Sequence, residues 1–304
     1  MKKIFRRIMT AFFIMMLPLS ACASEVTTIT DLSVAPAVII RTKDAAAYPS
    51  LHLDESAEQL EVVFPKVRDA DAAIIRCGNE VVLIDCASAG QAKAVVKALQ
   101  TMGVTRIKSV VSTHPHYDHL EGLAIVADAV QVDELRICFH EKYNDRMEEA
   151  VAVCAARNIS VVHYADGDVL TIGGATLTSY LKGDANWDLN GQSAVQMLRF
   201  GERAMLFTAD ATNRAQKRLV EKVGADALKA DILKYPHHGL NAMAEPFKAA
   251  VSPELAIITN MSPRTGDAVY QMRLARISYL YTTTGAIRAR TDGAIWIVDY
   301  LTEK

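Results

Sequence analysis

Apolar residues in this chain come in short unbroken runs separated by segments with helical spacing, and the alternation predicts its elements. Residues 60–64, 72–76 and 81–85 read as strands, the last two joined by the turn Cys77-Gly78-Asn79-Glu80. Residues 91–102 set apolar side chains three and four apart and stop at Gly103, as an amphipathic helix with a glycine end does. A strand is predicted over 107–111, a helix over 123–130, a strand over 134–139 and a longer helix over 145–157. Strands follow at 160–163, 175–181, 194–200 and 204–208, a helix at 213–223, and strands at 230–234 and 255–259. The tail 288–298 reads as a hairpin turning on Asp292-Gly293. No internal repeat interrupts the series, so it describes one domain of mixed sheets with helices outside.

The beginning of the chain lacks this texture. Lys2, Lys3, Arg6 and Arg7 precede the apolar run 8–19, which is too short for a comfortable membrane span and reads as an export signal. Its end, Leu19-Ser20-Ala21-Cys22, resembles a bacterial lipobox. That likeness makes Cys22 the lipidated first residue of the mature chain, anchored on the outer side of the cytoplasmic membrane or in the periplasm or outer membrane. Ala21-Cys22-Ala23 also satisfies the small-x-small rule of an ordinary signal peptidase, which would release a soluble protein. Either way the mature chain is exported. Residues 1–22 are thus the signal, 23–57 an Ala/Thr/Ser/Asp-rich tether without a period, and 58–304 the domain.

At 304 residues the chain can bury a sizeable core, and its 51% apolar content fits a globular protein. The formal net charge of −2 argues against a dedicated nucleic-acid binder, since phosphate contacts need a basic face; no stable nucleic-acid partner is expected. Beyond Cys22 stand Cys77, Cys86, Cys138 and Cys154, whose spacing fits no zinc ribbon. Cys77 and Cys86 read as small core residues, and a Cys138–Cys154 disulfide is permitted by export without being required.

Residues 112–120, STHPHYDHL, turn the reading from fold to chemistry. They hold three of the chain's eight histidines, directly after the strand at 107–111. His114, His116, Asp118 and His119 are metal-ligand types launched from a rigid strand end, with two histidines free to point one way and an Asp-His pair another. That arrangement suits two adjacent cations better than one. The bland alternative, a polar surface loop with chance histidines, is disfavoured by H-x-H-x-D-H placed after a buried strand.

The stretch THPHYDHLEGL resembles the signature of the metallo-β-lactamase superfamily, and other stretches match in order from about residue 60 to the C-terminus. Ala72-Ala-Ile-Ile with Val82-Leu-Ile-Asp85 looks like the opening hairpin, Met205-Leu-Phe-Thr-Ala-Asp210 like the strand that delivers the bridging carboxylate, and Leu233-Lys-Tyr-Pro-His237-His238-Gly239 like the last ligand turn. The resemblance implies an α/β fold, an αββα sandwich of two mixed β-sheets with helices on the outer faces. It also implies two divalent metal ions, zinc or manganese, held by His114, His116, Asp118, His119, Asp210 and one of the adjacent pair His237 and His238; one sequence does not decide between the two, and His237 is taken as the ligand with His238 turned to the substrate. Asp85 then either braces the cluster from behind or caps backbone amides.

LKYPHHG and the block Asn190-Gly-Gln-Ser-Ala-Val look like two branches in particular: the C-terminal hydrolase domain of the DNA-uptake protein ComEC and the teichoic-acid phosphorylcholine esterases. In true β-lactamases a further histidine is expected about halfway between the cluster and Asp210. Here only His140 and His163 lie between, neither before the right strand, and Asn190 and Ser193 stand in that region instead. One metal would then keep only His114, His116 and Asp210 from the protein and leave room for substrate oxygens. Leu240 replaces a serine usual after Gly239, which counts against nucleic acid as the substrate.

The implied function is an exported hydrolase that attacks phosphodiester bonds with a metal-bridging hydroxide, Asp118 orienting it and collecting its proton. A wall polymer, a nucleotide or DNA would be the substrate. Two alternatives stay open: an amide or ester hydrolase acting on a β-lactam or lactone, against which the missing histidine counts, and a non-catalytic, metal-retaining binding lipoprotein, against which the full ligand set counts. Lys234 and Arg288 either offset substrate charge or are solvated. Trp187 either stacks on a sugar, base or choline group or is core.

Overall fold

The computed structural model of the chain describes residues 36–41, 51–180 and 185–302; the export signal, Cys22 and most of the tether lie outside the described residues. Sixteen strands among those residues form two mixed sheets. The first contains β1 (Val38–Ile40), β2 (Leu60–Phe64), β3 (Ala73–Cys77), β4 (Glu80–Ile84), β5 (Arg106–Val111), β6 (Gln131–Ile137) and β7 (Ser160–His163), closed by β15 (Ile287–Thr291) and β16 (Trp296–Tyr300) from the far end of the chain. Its spatial order is β1-β16-β15-β2-β3-β4-β5-β6-β7. The second contains β8 (Val169–Ile172), β9 (Ala175–Tyr180), β10 (Val195–Phe200), β11 (Arg203–Phe207), β12 (Ile232–Lys234), β13 (Leu255–Ile258) and β14 (Ser278–Tyr281), in the order β14-β13-β12-β11-β10-β9-β8.

The helices among the described residues are α1 (Ala92–Thr101), α2 (Tyr117–Leu120), α3 (Leu123–Ala129), α4 (Asp145–Arg157), α5 (Asn213–Val223), α6 (Ala225–Leu228), α7 (Glu245–Val251) and α8 (Gly266–Leu274). Their caps are local chemistry. Asn144 accepts a hydrogen bond from the Met147 amide at 3.0 Å and starts α4, and Asn158 ends it in the left-handed conformation.

The layers follow from strand periodicity. In the second sheet Met205, Phe207, Ile232, Leu255 and Ile257 point into the core shared with the first sheet. Their neighbours Ala204, Leu206, Leu233, Ala256 and Ile258 point the other way, onto Leu219 of α5, Phe247 and Val251 of α7 and Met272 of α8. The rings of Phe64 and Phe207, one from each sheet, sit 5.8 Å apart between centroids. Val95 and Leu99 of α1, Val126 of α3 and Met147 of α4 extend the core of the first sheet. The result is the expected pair of mixed sheets flanked by helices.

The boundary read at residue 58 needs correction. Val38–Ile40, inside the presumed tether, pairs in parallel with β16, and the Glu254 carboxylate accepts hydrogen bonds from the Ala37 and Val38 amides at 3.1 Å each. Three apolar residues whose partner is the last strand of the chain carry no local signal. The permitted Cys138–Cys154 disulfide is not formed: Cys77, Cys86, Cys138 and Cys154 are all buried and none of them is in a disulfide.

The connectivity also places the chemistry. β4 and β5 are parallel neighbours, as are β11, β12 and β13, so each group ends on one side. The segments leaving β4, β5, β11 and β12 carry Asp85, His114 to His119, Asp210 and the His237–His238 pair, and the one leaving β13 begins with Thr259.

Candidate metal centre

Buried strands give the site its rigid base, and strained turns aim its side chains. Asp85 after β4, Ala209 after β11, and His237 and His238 after β12 have positive φ, at 55°, 44°, 48° and 53°. Each such non-glycine residue costs of order 1 kcal/mol and persists only where its surroundings over-determine it. The loop after β5 runs straight into α2, whose first turn winds Asp118 and His119 back toward the sheet. Three backbone hydrogen bonds pin this turn: Cys86 N to His119 O at 2.6 Å, Gly122 N to Ala87 O at 3.0 Å and Asp71 N to Asp118 O at 3.0 Å.

Asp210 stands between two sets of imidazoles. Its Oδ1 lies 3.3 Å from His119 Nε2 and 3.5 Å from His238 Nε2, while its Oδ2 lies 3.8 Å from His114 Nε2. Asp118 Oδ2 lies 3.0 Å from His238 Nε2. Two ligand groups result, Asp118, His119, Asp210 and His238 on one side and His114, His116 and Asp210 on the other, each with its donor atoms within 4.8 Å of one another.

The outward nitrogens are held by carboxylates. His119 Nδ1 donates to Asp85 Oδ2 at 2.7 Å, and Asp85 in turn accepts from the Thr113 amide at 2.9 Å and hydroxyl at 2.7 Å. His238 Nδ1 sits 3.1 Å from Asp71 Oδ1 and 2.9 Å from Thr259 Oγ1, whose hydroxyl donates to the same Asp71 oxygen at 2.8 Å. Protons directed outward leave the Nε2 lone pairs facing inward, as metal ligation requires.

A dinuclear metal site fits these residues. His119 Nε2 and Asp210 Oδ1 are buried polar atoms with no hydrogen-bond partner in the protein, an arrangement that costs free energy unless something else satisfies them. The electrostatics point the same way. Burial disfavours charge on His119 and His238, yet Asp210 with Asp85 and Asp71 outweighs it and pushes both imidazoles well above their ordinary pKa. Burial would raise Asp210 as well, but the facing charges of His238 and His119 hold its carboxyl well below the usual range. The carboxylates here demand positive charge.

His237 and His238 exchange the roles expected from the sequence. His238 is buried among the ligands, with its side chain 2% exposed. His237 is 28% exposed, its Nε2 3.7 Å from Asp210 Oδ2 and 3.3 Å from Asn190 Nδ2. Two successive left-handed residues turn the second imidazole inward and send the first toward solvent. Asn190 Oδ1 and Ser193 Oγ are buried without partners.

Lys234 is not solvated. It is buried, forms an ion pair with Asp71 and donates to Ala209 O at 3.0 Å. Arg288 is engaged by Asp299 at 2.7 and 2.8 Å. Trp187 is half-buried, and the Arg214 guanidinium lies 4.4 Å from its ring centre. Sequence reasoning missed Asp71 and Thr259. The one available signal was an acid placed directly before the apolar run of β3, in Asp69-Ala70-Asp71-Ala72.

Comparison with known proteins agrees with this geometry. A search of curated proteins returned no match. Among solved structures, the metallo-beta-lactamase fold protein YhfI from Bacillus subtilis has a TM-score of 0.54 at 12% identity, over 74% of this chain and 96% of that one. CmlA, a diiron beta-hydroxylase from Streptomyces venezuelae, has a TM-score of 0.53 at 16% identity, over 78% of this chain and 54% of its own. At such identities the likeness is one of fold. The sequence profile of the metallo-beta-lactamase superfamily, whose members bind a dinuclear metal site and are mostly metal-dependent hydrolases, matches residues 65–257. With two mixed sheets, an aspartate shared by two groups of metal-ligand side chains and a matching profile over most of its length, the chain belongs to the metallo-beta-lactamase superfamily.

Proposed function

We propose that the chain is an exported phosphodiesterase with two zinc or manganese ions, tethered to a membrane through Cys22. The carrying observation is Asn190. Beside the His114, His116 and Asp210 group stands a side chain whose amide nitrogen reaches His237 and whose buried oxygen has no partner, where a β-lactamase-like site would have a third imidazole. A protein shell with so few ligands suits a phosphodiester, whose two non-bridging oxygens can both be accommodated. This reading keeps the likeness to the ComEC hydrolase domain and to the phosphorylcholine esterases, with a wall polymer, nucleotide or DNA as substrate.

His114, His116 and Asp210 would hold one cation, and Asp118, His119, His238 and Asp210 the other. When bound, the cations supply Lewis acidity and lower the pKa of water toward neutrality. The protein does the rest. Asp85 fixes the ring of His119, Asp71 and Thr259 fix that of His238, and Asp118, beside His238 Nε2, would orient a water and accept its proton. His237, half-exposed beside Asp210, faces the substrate.

The test is a substrate panel on the metal-loaded mature chain: bis(p-nitrophenyl) phosphate, a chromogenic cephalosporin and linear DNA. Turnover of the phosphodiester is expected, together with its loss in Asp210→Asn without unfolding. Cephalosporin turnover alone would replace this reading with the amide one, and inertness with tight metal retention would replace it with a binding protein. Labelled fatty acid should appear on the wild-type chain and not on Cys22→Ser.

A further inference from the structure

We infer that the cleft beside His237 receives a second anionic group of the substrate, a phosphate flanking the scissile one, and that Arg214 selects for it. This rests on the phosphodiester reading above. The cleft measures about 250 Å³ and opens directly after Asp210, between Thr212, Asn213, Gln216, His237 and Asn241. No carboxylate lines it. It therefore offers amide and hydroxyl donors, with no charge to repel an anion.

Arg214 follows the lining residue Asn213 in the first turn of α5. The guanidinium stacks on Trp187 at 4.4 Å and, among the described residues, is paired with no carboxylate, although it is exposed. Trp187 is itself fixed. Its carbonyl accepts from Gln192 Nε2 at 2.8 Å. A Cβ at Gly191 would meet Trp187 Cβ at 3.3 Å and Thr212 Oγ1 at 3.4 Å, so the indole and the wall of the cleft flank one glycine. A planar cation held on an aromatic face keeps its N–H edges free, which suits bidentate recognition of phosphate.

Lys217 and Arg218 follow three and four residues later on the same face of α5. Arg218 lies 3.5 Å from Glu221, and among the described residues Lys217 has no carboxylate partner. The basic line leads away from the cleft, as a chain of phosphates would. A quaternary ammonium is disfavoured, because Arg214 already covers the indole with like charge.

The experiment compares deoxythymidine 3′-phosphate 5′-(p-nitrophenyl phosphate) with deoxythymidine 5′-(p-nitrophenyl phosphate), which differ only in the flanking phosphate. The zinc-loaded chain should favour the first by about tenfold in kcat/KM, roughly the value of a charge-assisted contact. Arg214→Ala should abolish the preference, Arg214→Lys keep part of it and Arg214→Glu invert it. A binding arm needs no turnover. Of the two tryptophans Trp296 is fully buried, so emission changes on titrating deoxythymidine 3′,5′-bisphosphate report Trp187. That affinity should fall about tenfold in Arg214→Glu. Equal affinities in wild type and Arg214→Glu, or a preference for p-nitrophenyl phosphorylcholine over the bisphosphorylated substrate, would overturn the inference. If neither diester turns over yet bisphosphate binding still depends on Arg214, the phosphodiesterase reading fails and the anion site stands.

Discussion

Asp71→Asn is the sharpest perturbation of the centre, because Asp71 binds no cation in the arrangement above yet holds three groups that matter. Its carboxylate, 5% exposed, pairs with Lys234 and supports His238 Nδ1 at 3.1 Å and Thr259 Oγ1 at 2.8 Å. Those partners hold its pKa well below the carboxylate range against the opposing effect of burial. Asparagine keeps the shape and one acceptor oxygen but leaves the Lys234 ammonium, 3% exposed, with only the Ala209 carbonyl at 3.0 Å. Breaking a buried pair by removing one partner costs about 3–5 kcal/mol, a large share of the ~5–15 kcal/mol that stabilises a typical domain. The same change loosens the ring of His238, and removing such an outer partner weakens metal affinity about 10–100-fold. Urea unfolding of the chelated protein measures the first effect and calorimetric zinc titration the second. Lys234→Met in the Asp71→Asn background removes both charges, so stability should largely return while metal affinity does not. The reasoning is refuted if Asp71→Asn unfolds within about 1 kcal/mol of wild type and binds zinc unchanged, or if the double variant is less stable than either single one.

The histidine exchange gives a second test: His238→Ala should lose about one of two bound metal equivalents, while His237→Ala keeps its metal content and loses turnover, both read by elemental analysis beside the diester assay. Gly122→Ala is predicted to destabilise by about 1–3 kcal/mol and to weaken metal binding, seen in urea unfolding and zinc titration, because overpacking displaces the turn that carries His119. The added Cβ would lie 2.0 Å from the Cys86 carbonyl oxygen and 2.9 Å from Ala92 Cβ. Asp85→Asn leaves His119 Nδ1 without a charged acceptor, so zinc affinity should drop about 10–100-fold with the fold preserved by circular dichroism.

Where a strand is buried on both faces or a helix carries its own cap, the sequence alone locates it. β2, β12 and β13 are buried at every position and read as apolar runs broken only by Glu61 and Lys234, while α4 is bounded by the caps Asn144 and Asn158. β1 escapes because its three residues gain meaning only from β16, and β14 because Ser278-Tyr-Leu-Tyr281 is half-buried throughout, as an edge strand is. The metal centre divides the same way. His114 to His119 are adjacent in sequence and legible as a group. Asp71 and Thr259 are each one ordinary residue beside a strand and Lys234 ends β12, and only the folded chain brings Asp71 and Thr259 onto His238 and Lys234 onto Asp71. The choice between His237 and His238 rests on two left-handed residues that no composition or spacing reveals.

Charge balance ties the centre to the kind of bond it should attack. Asp71, Asp85, Asp118 and Asp210 are buried against a single buried ammonium, Lys234. Histidines ligate in the neutral form, so the protein contributes three net negative charges and two divalent cations contribute four positive ones. As long as the water between them is un-ionised, one positive charge would remain in a poorly screened interior, where it interacts far more strongly than in water. A phosphodiester anion cancels that charge on binding, whereas a neutral lactone or amide leaves it standing. On the phosphodiester reading, Lys234 would act on substrate choice without touching substrate. Deleting it alone removes the surplus, whereas deleting it together with the charge of Asp71 preserves the surplus. The double variant should accordingly keep its affinity for dimethyl phosphate, relative to its residual metal content, better than Lys234→Met does. The opposite ranking in inhibition of diester turnover would separate charge from substrate choice and return the amide and ester reading to equal footing.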